Sequence, residues 1–452
     1  MSKQSPYKEE RRERARRGIR GRHIPGGTWI DSDLPAAKTV GRRLRTFFHI
    51  EVAGGIVLLV ATVIALVWAN SPFSESYDTF WNTKLTLFAF NDFALTEDLG
   101  HWVNDGLMAI FFFVVGLEIK TELVAGELRD PRKAAVPVIA ALGGMVVPAA
   151  LFIAFNLGGD GFDGWGIPMA TDIAFALGVL ALLGPRIPSS LKVFLLTLAI
   201  ADDIGAIAVI AIFYTSDLSL GWLAIAVGLL GLVLFLRAGR VWYIPLYVLV
   251  GAGVWLATLE SGIHATIAGV ALGVMTPAVA LRPEPAEGQV DPETTADEVR
   301  AIVFDLRETV PVTDRLQAIL HPFSSFLILP VFALANAGIE ISRDGLSDAA
   351  TSSVTIGVIA GLVVGKTAGV ALFTWLATTL KVGPLPDGVS FRDVVGVGAL
   401  AGIGFTVAIF ISGLAFEGAD LVQDAKLGIL AASFLAAVIG ALILRRPAPA
   451  DD

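Results

Sequence analysis

The stretch VPVIAALGGMVVPAALFIAF, Val136 to Phe155, decides the fold. It carries no charged residue over about 20 positions, the length a helix needs to cross a hydrocarbon core ~30 Å thick. Similar runs recur on both sides of it. Read with a window of about 19 residues, the chain gives roughly twelve spans. They start near Glu51, His101, Ala134, Ile167, Lys192, Gly221, Val241, Gly262, Pro322, Val354, Asp393 and Leu427. The run from Gly262 to Thr276 is short, which suits a helix shielded by its neighbours or by a cavity. Composition agrees: 55% of the 452 residues are hydrophobic and 17% charged, against about 25% charged in a soluble domain. The bilayer is the solvent, and the expected class is an all-α polytopic membrane protein. Each spanning helix satisfies its own backbone hydrogen bonds, and spans this long exclude a β-barrel.

The absence of cysteine excludes disulfides, thiolate metal sites and cysteine nucleophiles. The net charge of −9 matters less than its placement. Arg11, Arg12, Arg14, Arg16, Arg17, Arg20 and Arg22 make the start of the chain basic. The first apolar run, Ile50 to Trp68, is too long for a cleaved signal and reads as a retained span. With the N-terminus in the cytoplasm, that side collects Arg129, Arg132 and Lys133, Arg186 and Lys192, Arg237 and Arg240, Lys381 and Arg392, and Arg445 and Arg446. Lys84, Arg343 and Lys426 fall outside. That bias sets the orientation, and twelve spans leave both termini cytoplasmic. The chain thus divides into a basic, disordered cytoplasmic arm, 1–48, a transmembrane body, 49–444, and a cytoplasmic tail, 445–452. No nucleic-acid partner is expected for the arm. Within the body, alternation around Asn91-Asp92 predicts an extracytoplasmic β-hairpin at 84–96. Residues 278–320 read as an acidic cytoplasmic loop, whose Ala296 to Val310 stretch is a surface helix or a tether.

An ionisable residue inside a span is costly and marks a functional site. The strongest case is Leu198-Ala-Ile-Ala-Asp-Asp-Ile-Gly-Ala206, with Asp202 and Asp203 near the middle of an apolar run. Neighbours on a helix point about 100° apart, so the two can line one cavity. Carboxylates this close repel, and burial penalises their charge, so the pair takes up protons or releases them to hold a cation. A second place is Thr171 and Asp172, behind Pro168, where a break in the helix would expose backbone groups. Asp172 also reads as a simple helix cap. Third, Lys366 in GLVVGK is a lone cation in a long apolar stretch and needs Asp202 or Asp203 as partner. The glycine spacing there is wrong for a phosphate loop. Fourth, Gly402, Gly404 and Thr406 mark a second candidate break, or glycines that only allow close packing. Two breaks in corresponding positions suggest inverted-topology repeats. Fifth, Asp105, Glu118, Glu122 and His264 lie near span ends, where they sense pH, funnel cations or form a solvated rim.

On these residues the chain resembles the NhaA-type sodium/proton antiporters of bacterial inner membranes. The matching stretches are NDGLMAIFFFVVGLEIKTEL, ATDIAFALGVLALLG, LAIADDIGAI, SGIHATIAGV, HPFSSFLILPVFALANAGI, GLVVGK and GIGFTVAIFISGLAF. They occur in one order between roughly Gly54 and Leu444. The resemblance implies a transporter rather than an enzyme, multi-pass in the inner membrane, with two broken helices crossing at mid-membrane. It implies exchange of cytoplasmic Na+ or Li+ for external H+ by alternating access, electrogenic and pH-regulated, in Na+ and pH homeostasis. It makes Asp203 the principal, transient Na+ ligand with Asp202 beside it, and pairs Lys366 with Asp202. Thr171 and Asp172 would lie at the crossing. It further implies a homodimer held partly by the 84–96 hairpin, and no cofactor beyond the transported ions. Two stretches depart from the family pattern: Pro277 to Leu281 lacks the charges, and Leu316 to Leu320 the histidine, found there in the family. The expectation is a pH activation that survives but is shifted or weakened.

Two other classes compete. An intramembrane hydrolase could use paired carboxylates to activate water, yet it takes them from facing elements and leaves Lys366 idle. A channel or symporter sharing the architecture is separated from an exchanger by experiment.

Overall fold

The computed structural model of the protein describes residues 51–90, 93–184, 187–215, 218–239, 241, 243–279 and 309–445. The basic arm 1–48, the tail after Arg445 and the surface helix expected at 296–310 fall outside the described residues, except for Thr309 and Val310. The first span is α1 (Glu51–Ala69). A short polar helix, α2 (Ser74–Trp81), leaves it at 115°. Tyr77 is the buried residue of α2; its hydroxyl accepts from the Gly338 N–H at 3.2 Å and lies 2.8 Å from the Leu334 carbonyl. Strands β1 (Lys84–Phe90) and β2 (Phe93–Asp98) pair antiparallel as a two-stranded sheet. The second strand runs past the expected end at 96 to Asp98, whose carboxylate caps the next turn by accepting from the His101 N–H at 2.8 Å.

A π-helical stretch, Trp102–Leu107, leads into α3 (Met108–Val124). The uncharged stretch from Val136 to Phe155 lies within α4 (Pro131–Asn156), which starts with Asp130 as cap and Pro131 in the first turn. Then come a 3-10 segment (Phe162–Met169), α5 (Ile173–Leu182), α6 (Ser189–Phe213), α7 (Leu220–Ala238), α8 (Ile244–Leu259) and α9 (Thr266–Met275). The next span differs from expectation. It begins at Val312, inside the stretch read as loop, and not at Pro322: α10 (Val312–Phe323) continues through Ser324–Ile328 into α11 (Leu329–Asn336). Asp314, Arg315 and Gln317 dilute the apolar count there, but Val312, Leu316 and Leu320 recur at helical spacing. The short α12 (Arg343–Thr351), on a polar stretch, was not anticipated. A 27-residue span follows: α13 (Ser353–Ile359), a π-helical stretch (Ala360–Gly365) and α14 (Lys366–Thr379). The chain closes with α15 (Phe391–Ala401), α16 (Phe405–Ala415) and α17 (Ala419–Leu444).

Among the described residues, six helices are long and apolar enough to cross a membrane, or up to nine when each bent pair counts as one span. The protein is an all-α polytopic membrane protein. Small residues let its helices approach closely, as they do where lipid supplies no hydrophobic drive between helices. On α4 and α14, Gly143 and Gly369 meet so that a methyl group on either would overlap the other's backbone. A methyl group on Gly116 of α3, or on Gly269 or Gly273 of α9, would likewise overlap the backbone of the facing helix.

Candidate ion-binding site

Two of the bent helices break where the sequence suggested. The 3-10 segment and α5 meet at 41° across residues 170–172, and α15 and α16 meet at 48° across residues 402–404. The breaks lie against each other. The Asp172 N–H donates to the Ile403 carbonyl at 2.6 Å, and the Thr171 hydroxyl lies 2.8 Å from the Ala401 carbonyl. Each break exposes one helix start and one helix end, whose backbone groups need partners.

The charges match those ends. Asp172 is buried where α5 and α16 both begin. One of its oxygens accepts from the Phe175 N–H at 3.0 Å. The other accepts from the Thr406 hydroxyl at 2.6 Å and the Thr406 N–H at 3.2 Å. Asp172 is thus a helix cap and also a tie between the two breaks. A carboxylate is favoured where N–H groups converge. The Ser433 hydroxyl of α17 accepts from the Phe405 N–H at 3.2 Å, completing the start of α16. At the opposite ends a cation is favoured, and Lys366 is there. Its Nζ donates to the Met169 carbonyl, at the end of the 3-10 segment, and to Asp202 Oδ2 at 2.7 Å.

Asp202 and Asp203 project from the middle of α6. Asp202 Oδ2 is shared by Lys366 and by Thr171, whose hydroxyl is 2.9 Å away. Asp202 and Lys366 are both fully buried, so their attraction opposes a desolvation penalty of several kcal/mol per ion. Among the described residues, two solvent-shielded carboxylate oxygens have no partner: Asp202 Oδ1 and Asp203 Oδ1. An unsatisfied oxygen on a buried carboxylate costs more than a made hydrogen bond gains. The arrangement can take a proton or a small cation on these oxygens, and it holds an internal cation, Lys366, that competes for Asp202.

The remaining sequence candidates do not form one cluster. Glu118 and Glu122 lie toward the C-terminal end of α3, while Asp105 sits before its start, where its carbonyl accepts from Trp255 Nε1 at 2.8 Å. Helices α3 and α9 pack side by side in the same direction, with Gly269 against Ala109 and Gly273 against Gly116. His264, just before α9, is therefore at the Asp105 end. Glu122 also ties down the turn that follows α3, accepting from the Glu127 N–H at 2.9 Å. Beside it opens a cavity of about 640 Å³, lined by Glu122, Glu127, Arg129, Asp130, Lys133 and Thr197 among others. Gln317 of α10 donates to the Thr121 hydroxyl of α3 at 3.0 Å. Sequence reasoning missed the Met169 and Ala401 carbonyls, which no side-chain pattern announces. It also missed Ser433, whose signal was a lone hydroxyl in an apolar span.

The Na+/H+ antiporter 1 family matches residues 45–444. The Na(+)/H(+) antiporter NhaA of Rhodopirellula baltica is 49% identical over 429 residues, covering 91% of this chain and 96% of the relative. NhaA 3 of Frankia alni is 48% identical over 412 residues, covering 90% and 89%. The antiporter NhaA of Oleidesulfovibrio alaskensis is 48% identical over 421 residues, covering 89% and 93%. Similarity of this extent along nearly the whole membrane body, on a chain with its helix breaks crossed at a buried Asp–Lys pair, means that the protein belongs to the NhaA family of Na+/H+ antiporters.

Proposed function

We propose that the protein exchanges cytoplasmic Na+ or Li+ for external H+ across a bacterial inner membrane, serving Na+ and pH homeostasis. One observation carries the reading: Asp202 and Asp203 each present an unpartnered buried oxygen, while Lys366 is bonded to Asp202. A cation takes Asp203 first and draws on Asp202, and Lys366 and the displaced protons leave. Protons returning from outside reverse this. Cation and proton cannot hold the same oxygens together, so the site passes them by turns, and alternating access follows if the broken helices tilt about their contact. Release of more than one proton per cation makes the cycle electrogenic. Twelve spans, inverted repeats and cytoplasmic termini fit the helix order, the two breaks and the distribution of basic residues. The ion pair also favours exchange over hydrolysis, since Lys366 has no part in activating water.

The cavity beside Glu122 supports a cytoplasmic approach for the cation, with Glu118 one turn further back along α3. Glu118 and Glu122 on that side, and Asp105 and His264 on the other, would set the pH response. At the α3–α10 contact Gln317 donates to the Thr121 hydroxyl, where the sequence lacks the family's histidine, which supports a shifted or weakened response. Among the described residues, the hairpin of β1 and β2 leaves both outer edges unpaired, which suits pairing with a second copy.

Acid-loaded everted vesicles test the reading. Added Na+ collapses the pH gradient in an exchanger, whereas a symporter or channel does not give that response. Asp203→Asn abolishes the collapse; persistence in that variant refutes the site. Comparison of Na+, Li+ and K+ in the same vesicles fixes the preference.

A further inference from the structure

A buried threonine in a helix can give its hydroxyl proton to the carbonyl four residues back, as Thr62 and Thr258 do here at 2.9 and 2.8 Å, or to a neighbouring element, as Thr355 and Thr406 do. Thr374 of α14 does neither. Its residue is wholly buried, and its hydroxyl is the one threonine oxygen among the described residues that is shielded from solvent without a partner. The helix could have satisfied it and did not, so the hydroxyl is turned elsewhere.

Its position gives that orientation a meaning. Thr374 is eight residues after Lys366, ~12 Å along the axis, with Val370 on the turn between. The space at Gly144 of α4 adjoins Val370 Cγ2, Lys366 Cδ and Asp202 Oδ1. The unpartnered oxygen of Asp202 therefore lies beside the Lys366–Val370 turn of α14, one turn before Thr374. On the opposite flank, Gly398 of α15 rests on Thr367 and Val370. Because α14 and α15 form an antiparallel pair, that contact brings Thr374 level with the first turn of α15, where Asp393 is buried and accepts from Ser390. The turn joining these helices carries Lys381, and the first turn of α15 carries Arg392, both of which the basic-residue bias places in the cytoplasm.

Resting on the exchange reading above, we propose that Thr374 binds a buried water that carries protons, and not cations, between Asp202 and the cytoplasmic end of α15. A buried water makes about three hydrogen bonds to polar groups that lack other partners. Asp202 Oδ1 and Thr374 Oγ1 are two such groups, the first beside the Lys366–Val370 turn of α14 and the second one turn on. A Na+ ion needs more oxygens than this apolar seam offers, so it stays on the Asp203 side. When the cation displaces Lys366 from Asp202, the proton given up in that exchange passes to the water, which releases one of its own toward Asp393 and solvent. One proton moves and the water is unchanged.

The test compares wild type, Thr374→Val and Thr374→Ser as full-length protein in proteoliposomes, reading Na+-driven proton movement against Na+ concentration. Valine keeps the shape and removes the hydroxyl. The expected result is a maximal rate lowered about five-fold or more, a half-saturating Na+ within about two-fold of wild type, and recovery in the serine variant. An unchanged rate in Thr374→Val, or a half-saturating Na+ that rises with the loss of rate, overturns the proposal. If valine does not assemble, Thr374→Ala against Thr374→Ser is read in the same way. Failure of wild type to exchange at all refutes the exchange reading instead, so the two outcomes are distinct.

Discussion

Two buried aspartate regions lie side by side and have opposite hydrogen-bond status. At the crossing of the breaks, both oxygens of Asp172 are occupied by N–H and hydroxyl donors from two helix starts. On α6, Asp202 and Asp203 each keep an oxygen with no partner. The first region is closed: both oxygens of its carboxylate are engaged in holding two half-helices together. The second is open: each of its buried carboxylates keeps an oxygen with no protein partner, free to take a ligand. Burial alone does not distinguish a structural carboxylate from a binding one; its remaining acceptor capacity does.

The largest effect falls on the open region, where Asp203→Asn removes a charge. Exchange falls by at least about 100-fold, measured as Na+-driven proton movement. Next in size is Lys366→Met. It leaves Asp202 buried without its counter-charge, a loss of order 3–5 kcal/mol when one partner of a buried pair is removed. Thermal unfolding in detergent drops, and the double variant with Asp202→Asn recovers most of the loss, because two neutral groups need no pairing. Asp172→Asn is milder: stability falls by about 1–3 kcal/mol as charge-assisted bonds to Thr406 and Phe175 weaken. Half-saturating Na+ for Asp172→Asn is expected to stay within about tenfold of wild type, since the oxygens of Asp172 already have donors. Ser433→Ala removes the acceptor for the Phe405 N–H and costs about 1 kcal/mol, with Thr as the conservative rescue.

The smallest effect lies outside the membrane, at the hairpin. Burial pushes the Asp98 carboxyl up, but the N–H and ring of His101 outweigh it and hold the group below the usual carboxylate range. A depressed folded value stabilises fully above the unfolded range and is lost as pH falls through it. Asp98→Asn removes that acid dependence from hairpin protection in hydrogen exchange.

The open region was legible in the sequence because charge in an apolar run is a strong signal. Asp202, Asp203 and Lys366 stood out for that reason alone, and Pro168 and Gly402 pointed to both breaks. Roles within the site were less legible. The sequence offered Asp172 as a cap or as a site residue, and only the fold shows that it caps two helices at once. The carbonyls of Met169 and Ala401 have no side-chain signature. Helix α10 was started too late because its first turns are amphipathic, and a hydropathy window averages such turns away. Asp105, Glu118, Glu122 and His264 looked alike as charges near span ends, but direction along α3 separates them into two groups.

Calorimetric titration of the purified protein with Na+ reads the difference between the open and the closed carboxylates at its source, with wild type, Asp203→Asn and Asp172→Asn run in buffers of different ionisation enthalpy. The expected outcome is saturable Na+ binding with proton release in wild type, the same within about tenfold in Asp172→Asn, and neither binding nor release in Asp203→Asn. Saturable binding that survives in Asp203→Asn, or vanishes in a folded Asp172→Asn, contradicts the assignment of the ion to the open region.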